Sequence, residues 1–198
     1  RLATVTIIPP PALTGSGAIT SDYNGSQISC IGASDGTITV TASGGSGLLR
    51  YRINGGNYQS SNIFNGLAAG THVIDVIDGN NCSIRLANVI ITSPPVLSGS
   101  GSVTSNYNGS QVTCFGASNG QITITASGGT GTIRYSLDNI NYQSSNVFSN
   151  LSAGTYTLFI KDINGCVKQL SSINITQPPA ITASASVREY KSPLKGFA

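Results

Sequence analysis

The sequence states one pattern twice. Residues 13–96 align with residues 97–180 without a gap, and each landmark recurs 84 positions later: Cys30 as Cys114, Tyr51 as Tyr135, Phe64 as Phe148, Cys82 as Cys166 and Pro94 as Pro178. About half of the aligned positions are identical. A period this long holds one small domain per copy, not a turn of a solenoid. The chain is therefore two equivalent units, and any residue credited with chemistry must be weighed against its twin. An enzyme seldom needs its active site in tandem, whereas a filament, stalk or adhesin gains reach and valency from repetition.

The repeat frame also defines the ends. Arg1-Leu2-Ala3 matches Arg85-Leu86-Ala87, and Ile181 to Val187 matches Leu97 to Val103. Residues 1–12 are thus expected to be the last strand of a preceding repeat, and residues 181–198 the start of a following one with a divergent tail from Arg188. No signal peptide opens the chain, which reads as a piece of a longer array.

Strand signals dominate. Thr37-Ile38-Thr39-Val40-Thr41 and Gln121-Ile122-Thr123-Ile124-Thr125 alternate apolar with polar residues, as half-buried strands do. Gly-rich turns follow at Gly44 and Gly128, then runs at Leu48–Ile53, Thr71–Ile77 and Ser83–Thr92 and their twins. Asp78-Gly79-Asn80-Asn81 and Asp162-Ile163-Asn164-Gly165 carry turn chemistry. About seven short strands per copy, with no helical periodicity, predict an all-β chain of tandem Ig-like β-sandwich domains, 13–96 and 97–180. The Pro-Pro pairs at Pro94 and Pro178 read as stiff junctions. Tyr156, following Leu151-Ser152-Ala153-Gly154-Thr155, fits a tyrosine corner whose hydroxyl bonds back to the backbone; His72 holds that place in the first copy.

Charged residues make up only 9% of the chain, and Gly, Ser, Thr and Asn replace them. The net charge of +3 gathers at the ends, in Arg1, Arg188, Lys191 and Lys195, so no basic stripe crosses the folded units and nucleic acid is not an expected partner. No segment approaches 18 consecutive apolar residues, the signature of a membrane-spanning helix. Two cysteines per copy at matched positions suggest one disulfide inside each, Cys30–Cys82 and Cys114–Cys166, each worth about 4 kcal/mol in the chain-entropy model, in an oxidising compartment. Four buried thiols are the alternative; a zinc site lacks its C-x-x-C spacing.

Candidate chemistry thins out on comparing the copies. A Ser–His–Asp triad around His72 with Asp75 or Asp78 has no counterpart, because His72 is the chain's only histidine and its twin is Tyr156. Paired-carboxylate hydrolysis would rest on Asp138 and Asp162, which strands separate. The Asp78 and Asp162 turns echo the opening of a calcium loop but lack its further acidic ligands; an Asx turn before a cysteine is the simpler expectation, and no cofactor is expected. GGSG and GGTG lack the Lys-Ser/Thr of a phosphate-binding loop. Threonine on the solvent side of one strand per copy does not build an ice-binding ladder. Tyr23 and Tyr107, in the repeated YNGSQ loop, are candidate contacts for sugar rings, since loops carry function; the other reading packs each ring over its own domain edge.

The stretch from Val112 to Cys166 resembles the SprB repeat. The resemblance rests on C-x-G-x-S-x-G, the GG turn, L-x-A-G-T and D-x-N-G-C, and it covers both copies; the first departs from it at Thr71-His72 and at Gly79-Asn80-Asn81-Cys82. That family builds the long gliding-motility adhesin and related surface proteins of Bacteroidetes. The resemblance implies secretion through the type IX system, cell-surface display and no catalytic residues. The expected function is a non-enzymatic structural or adhesive segment of a surface protein or filament. Its expected partners are neighbouring repeats and a surface polysaccharide or substratum. A carbohydrate-binding or spacer module of a secreted enzyme is one alternative; a filament subunit donating Leu2–Ile8 to a neighbouring sandwich is another.

Overall fold

Alternation of β-branched and polar residues, with glycine or asparagine at every tight turn, produces strands throughout. The computed structural model describes residues 3–4 and 6–189 of the 198. Repeat 1 contains β1 (Thr14–Ile19), β2 (Ser34–Ser43), β3 (Arg50–Ile53), β4 (Ile63–Ala68), β5 (Gly70–His72), β6 (Ile74–Ile77), β7 (Ser83–Arg85) and β8 (Val89–Ile91). Repeat 2 contains β9 (Ser98–Val103), β10 (Ser118–Ser127), β11 (Arg134–Ser136), β12 (Val147–Ser152), β13 (Gly154–Tyr156), β14 (Phe159–Lys161), β15 (Val167–Gln169) and β16 (Ile173–Ile175). The described residues hold no helix, and the chain is all-β.

Each repeat is a two-layer antiparallel sandwich. In repeat 1 one layer orders β1-β2-β4. The other orders β3-β6-β7, and β5 pairs with β8 as a continuation of the β6–β7 ribbon; Leu86 N–H donates to Ile74 O across the break. Gln59 bridges the outer edge of β3 at Tyr51. Repeat 2 reproduces this arrangement, β12-β10-β9 against β11-β14-β15 with β13-β16. The alternation seen in the sequence is the burial pattern: Ile38 and Val40 of β2 and Ile122 and Ile124 of β10 have no solvent exposure. They meet Ile74, Val76 and Ile91 in repeat 1, and Leu158, Ile160 and Ile175 in repeat 2. Burying each of these side chains contributes about 1.5–3 kcal/mol. Two separate clusters mean two separate cores.

Four strands carry little signal in the sequence. β1 and β9 read TGSGAI and SGSGSV, a composition that disfavours strands. They form because the strand crosses directly over the core, where a side chain has no room. A Cβ on Gly17 would lie 2.6 Å from Ile74 Cδ1, and one on Gly101 would collide with the Leu158 side chain. Gly101→Val is expected to destabilise repeat 2 by about 1–3 kcal/mol through overpacking; an unchanged urea midpoint would contradict this. β4 and β12 were hidden by irregular pairing, with register shifts against β2 between Ser34 and Ile38 and against β10 between Ser118 and Ile122.

The flanking segments expected from the repeat frame, 1–12 and 181–198, are described only in part. Arg1, Leu2, Val5 and residues 190–198 lie outside the described residues, and neither 6–12 nor 181–189 carries a strand. Strand backbone needs a pairing edge. The twins of residues 1–12 pair with β5 and β6 of their own repeat, and no such edge reaches Ile7. Ile7 is 89% exposed where its twin Ile91 is 1% exposed.

Strand direction gives each sandwich two poles. The N-terminal pole holds the β2–β3 loop and the β6–β7 turn, tied together by Gly79 N–H to Ser46 O, while Gly45 N–H anchors the incoming chain at Pro11 O. The C-terminal pole holds the long β1–β2 loop and the β4–β5 corner, where Thr92 N–H donates to Gln27 Oε1.

Candidate functional site: the junction between repeats

Cys30 lies in the β1–β2 loop and Cys82 in the β6–β7 turn, so the two cysteines of one repeat sit at opposite poles. The eight residues of β5 through β6 alone span roughly 25 Å, and a disulfide needs Cα atoms within about 7 Å. The expected pairs Cys30–Cys82 and Cys114–Cys166 are therefore replaced by a single bond between repeats. Cys30 Sγ is bonded to Cys166 Sγ at 2.03 Å, with Cα atoms 5.7 Å apart, and Cys82 and Cys114 carry free, exposed thiols. The tandem symmetry that suggested internal pairing is equally satisfied by pairing one pole with the opposite pole of the next copy.

Local chemistry sets both sulfurs in place. Cys30 opens a turn closed by Ala33 N–H to Cys30 O, with Gly32 at φ 79°. That left-handed position explains the glycine of the C-x-G motif. Cys166 follows a three-residue hairpin loop whose last residue, Gly165, has φ 86°; Asn81 fills the same place in repeat 1 at φ 67°. Asp162 organises the pole: one carboxylate oxygen accepts Thr130 N–H at 2.9 Å and the other accepts Cys166 N–H at 2.9 Å. Asp78 does the same for Ser46, Asn80 and Cys82, and these N–H donors, Ser46 first, hold its carboxyl below the usual range. Asp78 thus forms the expected Asx turn through Asn80 N–H, whereas the Asp162 carboxylate reaches past that position to Cys166 N–H, four residues on.

Around the disulfide the poles interlock. Asn24 Nδ2 donates to Asn164 Oδ1 at 2.6 Å, Asn164 Nδ2 donates to Tyr23 O at 2.9 Å, and the Ser26 and Thr130 hydroxyls share a hydrogen bond of 2.9 Å. Gly129 N–H binds Pro95 O at 3.0 Å, tying the linker to repeat 2. A cleft beside the disulfide is lined by Ile31, Pro94, Pro95, Val96, Leu97 and Val167. The junction thus combines a covalent bond, direct hydrogen bonds and a proline-stiffened linker.

The remaining sequence candidates fall as follows. Tyr23 Oη donates to Asp35 O and Tyr107 Oη to Asn119 O, each at 2.9 Å, so the rings lie along their own β1–β2 and β9–β10 loops. Their Asn-Gly turns have positive φ at both central residues, 52° and 93° in repeat 1 and 53° and 93° in repeat 2, the tight primed geometry that Asn-Gly favours. In repeat 1 this hairpin touches repeat 2, a contact that no single-repeat reading could find. Tyr156 Oη donates to Ser152 O at 2.9 Å, and His72 Nε2 lies 3.0 Å from Ala68 O, four residues back in both cases. With Nε2–H donating there, His72 Nδ1 accepts from Asn54 Nδ2 at 3.1 Å, so both ring nitrogens are engaged structurally. Asp138 accepts from Ile140 N–H and Asn141, which hold its carboxyl well below the ordinary value.

Asp75 belongs to an ion pair, with Arg85 Nε at 2.8 Å and Arg52 Nε at 2.9 Å. The Arg85 hydrogen bond, then that of Arg52, depresses its carboxyl below the usual value while burial opposes. In repeat 2 these positions are Ser136, Phe159 and Gln169, so the pair is not part of the shared framework. A depressed folded-state pKa gives stability that is full above the unfolded value, about 3.9, and is lost as pH falls through the lower folded value. Asp75→Asn is expected to cost repeat 1 about 1–2 kcal/mol, between exposed and buried pairs, and to flatten its acid denaturation below about pH 4. An unaltered acid limb in the variant would contradict the assignment.

Residues 23–57 and 106–141 each match the SprB repeat family. The two matches begin in the Tyr23 and Tyr107 hairpin regions and run through the cysteine turn into the β3 and β11 regions. No curated protein matches the sequence. Among solved structures, the fibronectin(III)-like modules of Clostridium thermocellum CbhA align over 87% of this chain and 100% of theirs, at 14% identity and TM-score 0.35. A C-terminal 282-residue fragment of intimin, solved with the intimin-binding domain of its translocated receptor, aligns over 84% of this chain and 64% of its own, at 14% identity and TM-score 0.34.

Proposed function

We propose, from the premise that two segments of this chain are SprB repeats, that the protein is a stiff, non-enzymatic spacer of an extracellular, cell-surface adhesin. The observation that carries this reading is the junction. Two complete sandwiches, each with its own core, are locked pole to pole by Cys30–Cys166, so the repeat extends head to tail without a free hinge. A disulfide joining domains suits an oxidising, extracellular setting. The nearly uncharged Ser/Thr/Asn surface gives a rod that does not attract its own copies through long-range charge. Secretion by the type IX route, a part in gliding, and weak multivalent contact with a polysaccharide substratum belong to the same proposal.

Binding of the purified chain to a glycan array and to polysaccharide-coated glass tests the adhesive part. Monomeric chains are expected to give no saturable binding, and beads carrying many copies to be retained at least tenfold better than beads carrying few. Saturable binding of one oligosaccharide by the monomer would instead make it a carbohydrate-binding module.

A further inference from the structure

We propose that the two poles left uncovered by the described residues are docking surfaces for further copies of the same repeat, each closed by its own disulfide. Cys114 would bond to the second cysteine of a following copy, and Cys82 to the first cysteine of a preceding one. The inference rests on the junction and not on adhesion, so a failed attachment assay leaves it standing.

The C-terminal pole of repeat 2 already has the shape of the occupied pole. Ala117 N–H closes the Cys114 turn at 3.1 Å as Ala33 closes that of Cys30 at 3.0 Å. Gly116 has φ 77° against 79° for Gly32. Thr176 N–H donates to Gln111 Oε1 at 2.6 Å as Thr92 does to Gln27. Thr113, Cys114, Phe115, Pro178, Pro179 and Ile181 line an open cleft, and several are twins of residues lining the cleft at the filled junction. Leu97 is 8% exposed, packed into the core of repeat 2, whereas its twin Ile181 is 98% exposed. A following copy would supply the core that Leu97 finds.

The N-terminal pole of repeat 1 is set in the same way. Asp78 holds Cys82 N–H and Ser46 N–H at 2.8 Å each, as Asp162 holds Cys166 and Thr130. Asn80 and Asn108, twins of the interlocked Asn164 and Asn24, have no side-chain hydrogen-bond partner among the described residues. The contact is heterologous, pole to opposite pole, so it propagates as an open chain and does not close into a dimer. Each closure takes two thiols to one disulfide through a mixed disulfide. Two electrons and two protons pass to a disulfide oxidant such as oxidised glutathione, which leaves as two thiols.

The test inserts a third copy of residues 97–180 directly after Ala180 in the full chain, refolds it with oxidised glutathione and maps the disulfides by mass spectrometry. Two bonds are expected: Cys30–Cys166, and Cys114 with the second cysteine of the inserted copy. A Cys114 that remains alkylatable, or that bonds to any other cysteine, overturns the proposal. A second measurement avoids the insertion by mixing Cys82→Ser chains with Cys114→Ser chains under the same oxidant. The mixture is expected to give Cys82–Cys114 heterodimers at least tenfold faster than either variant alone forms dimers; equal rates would overturn the proposal.

Discussion

Replacing Ile122 with alanine should remove about 3–4 kcal/mol from repeat 2, the usual range for a large aliphatic side chain lost from a packed core, and almost nothing from repeat 1. Ile122 is wholly buried against Leu158 and Ile160, whereas the repeat 1 core around Ile38 and Ile74 is a separate cluster. A domain of this size is stable by only about 4–12 kcal/mol. The loss therefore lowers its midpoint by roughly 15–25 °C. Calorimetry of the variant should show a displaced repeat 2 transition beside an unmoved repeat 1 transition, and Ile38→Ala the reverse. One cooperative transition shifted as a whole would mean that the two sandwiches share their stability, contrary to the separation of their cores.

Breaking Cys30–Cys166, by reduction or by Cys166→Ser, is expected to act on the junction and leave the cores intact. The chain-entropy value for closing a loop of more than a hundred residues, about 4.7 kcal/mol, is an upper bound here, because residues 92–97 already hold the folded repeats together. What disappears is the bond that keeps Asn24 against Asn164 and Ser26 against Thr130. These exposed and part-buried hydrogen bonds contribute about 1 kcal/mol each and do not hold two domains against thermal motion. Proteolytic cleavage of the Thr92–Leu97 linker should rise about tenfold, an opening shift of roughly 1.4 kcal/mol, and X-ray scattering should show a broader range of overall lengths. Both melting transitions should stay within a few degrees. Linker protection that survives reduction would show that the hydrogen bonds and prolines suffice. Alkylation with and without reductant checks the premise: two thiols react in the oxidised chain and all four after reduction.

Much of the sandwich was legible because its signals are local. The Thr-Ile-Thr-Val alternation of β2, the Asn-Gly and Gly-Gly turns, and the Asp78 Asx turn each follow from residues close in sequence. Aligning the copies also places His72 opposite Tyr156, and each side chain meets the backbone oxygen four residues back, Ala68 O and Ser152 O. β1 and β9 were not legible: their glycines answer to Ile74 and Leu158, dozens of residues away, and lack the side chains that mark a strand. The bulged β4 and β12 hid their alternation for a related reason, since a register shift breaks the period of two by which a strand is recognised.

Duplication in the sequence by itself determined that there are two equivalent all-β domains and that four cysteines form two matched sets. It could not determine which cysteines meet. Internal pairing and pole-to-pole pairing between neighbours satisfy the same 84-residue symmetry, and both look alike along the chain. Only the tertiary structure decided between them. Strand direction carries the β1–β2 loop to one end of the sandwich and the β6–β7 turn to the other, a separation no disulfide spans. The stacking of the second sandwich then brings Cys166 to within a bond of Cys30. A covalent feature that looked like an internal brace is thereby the connection between domains.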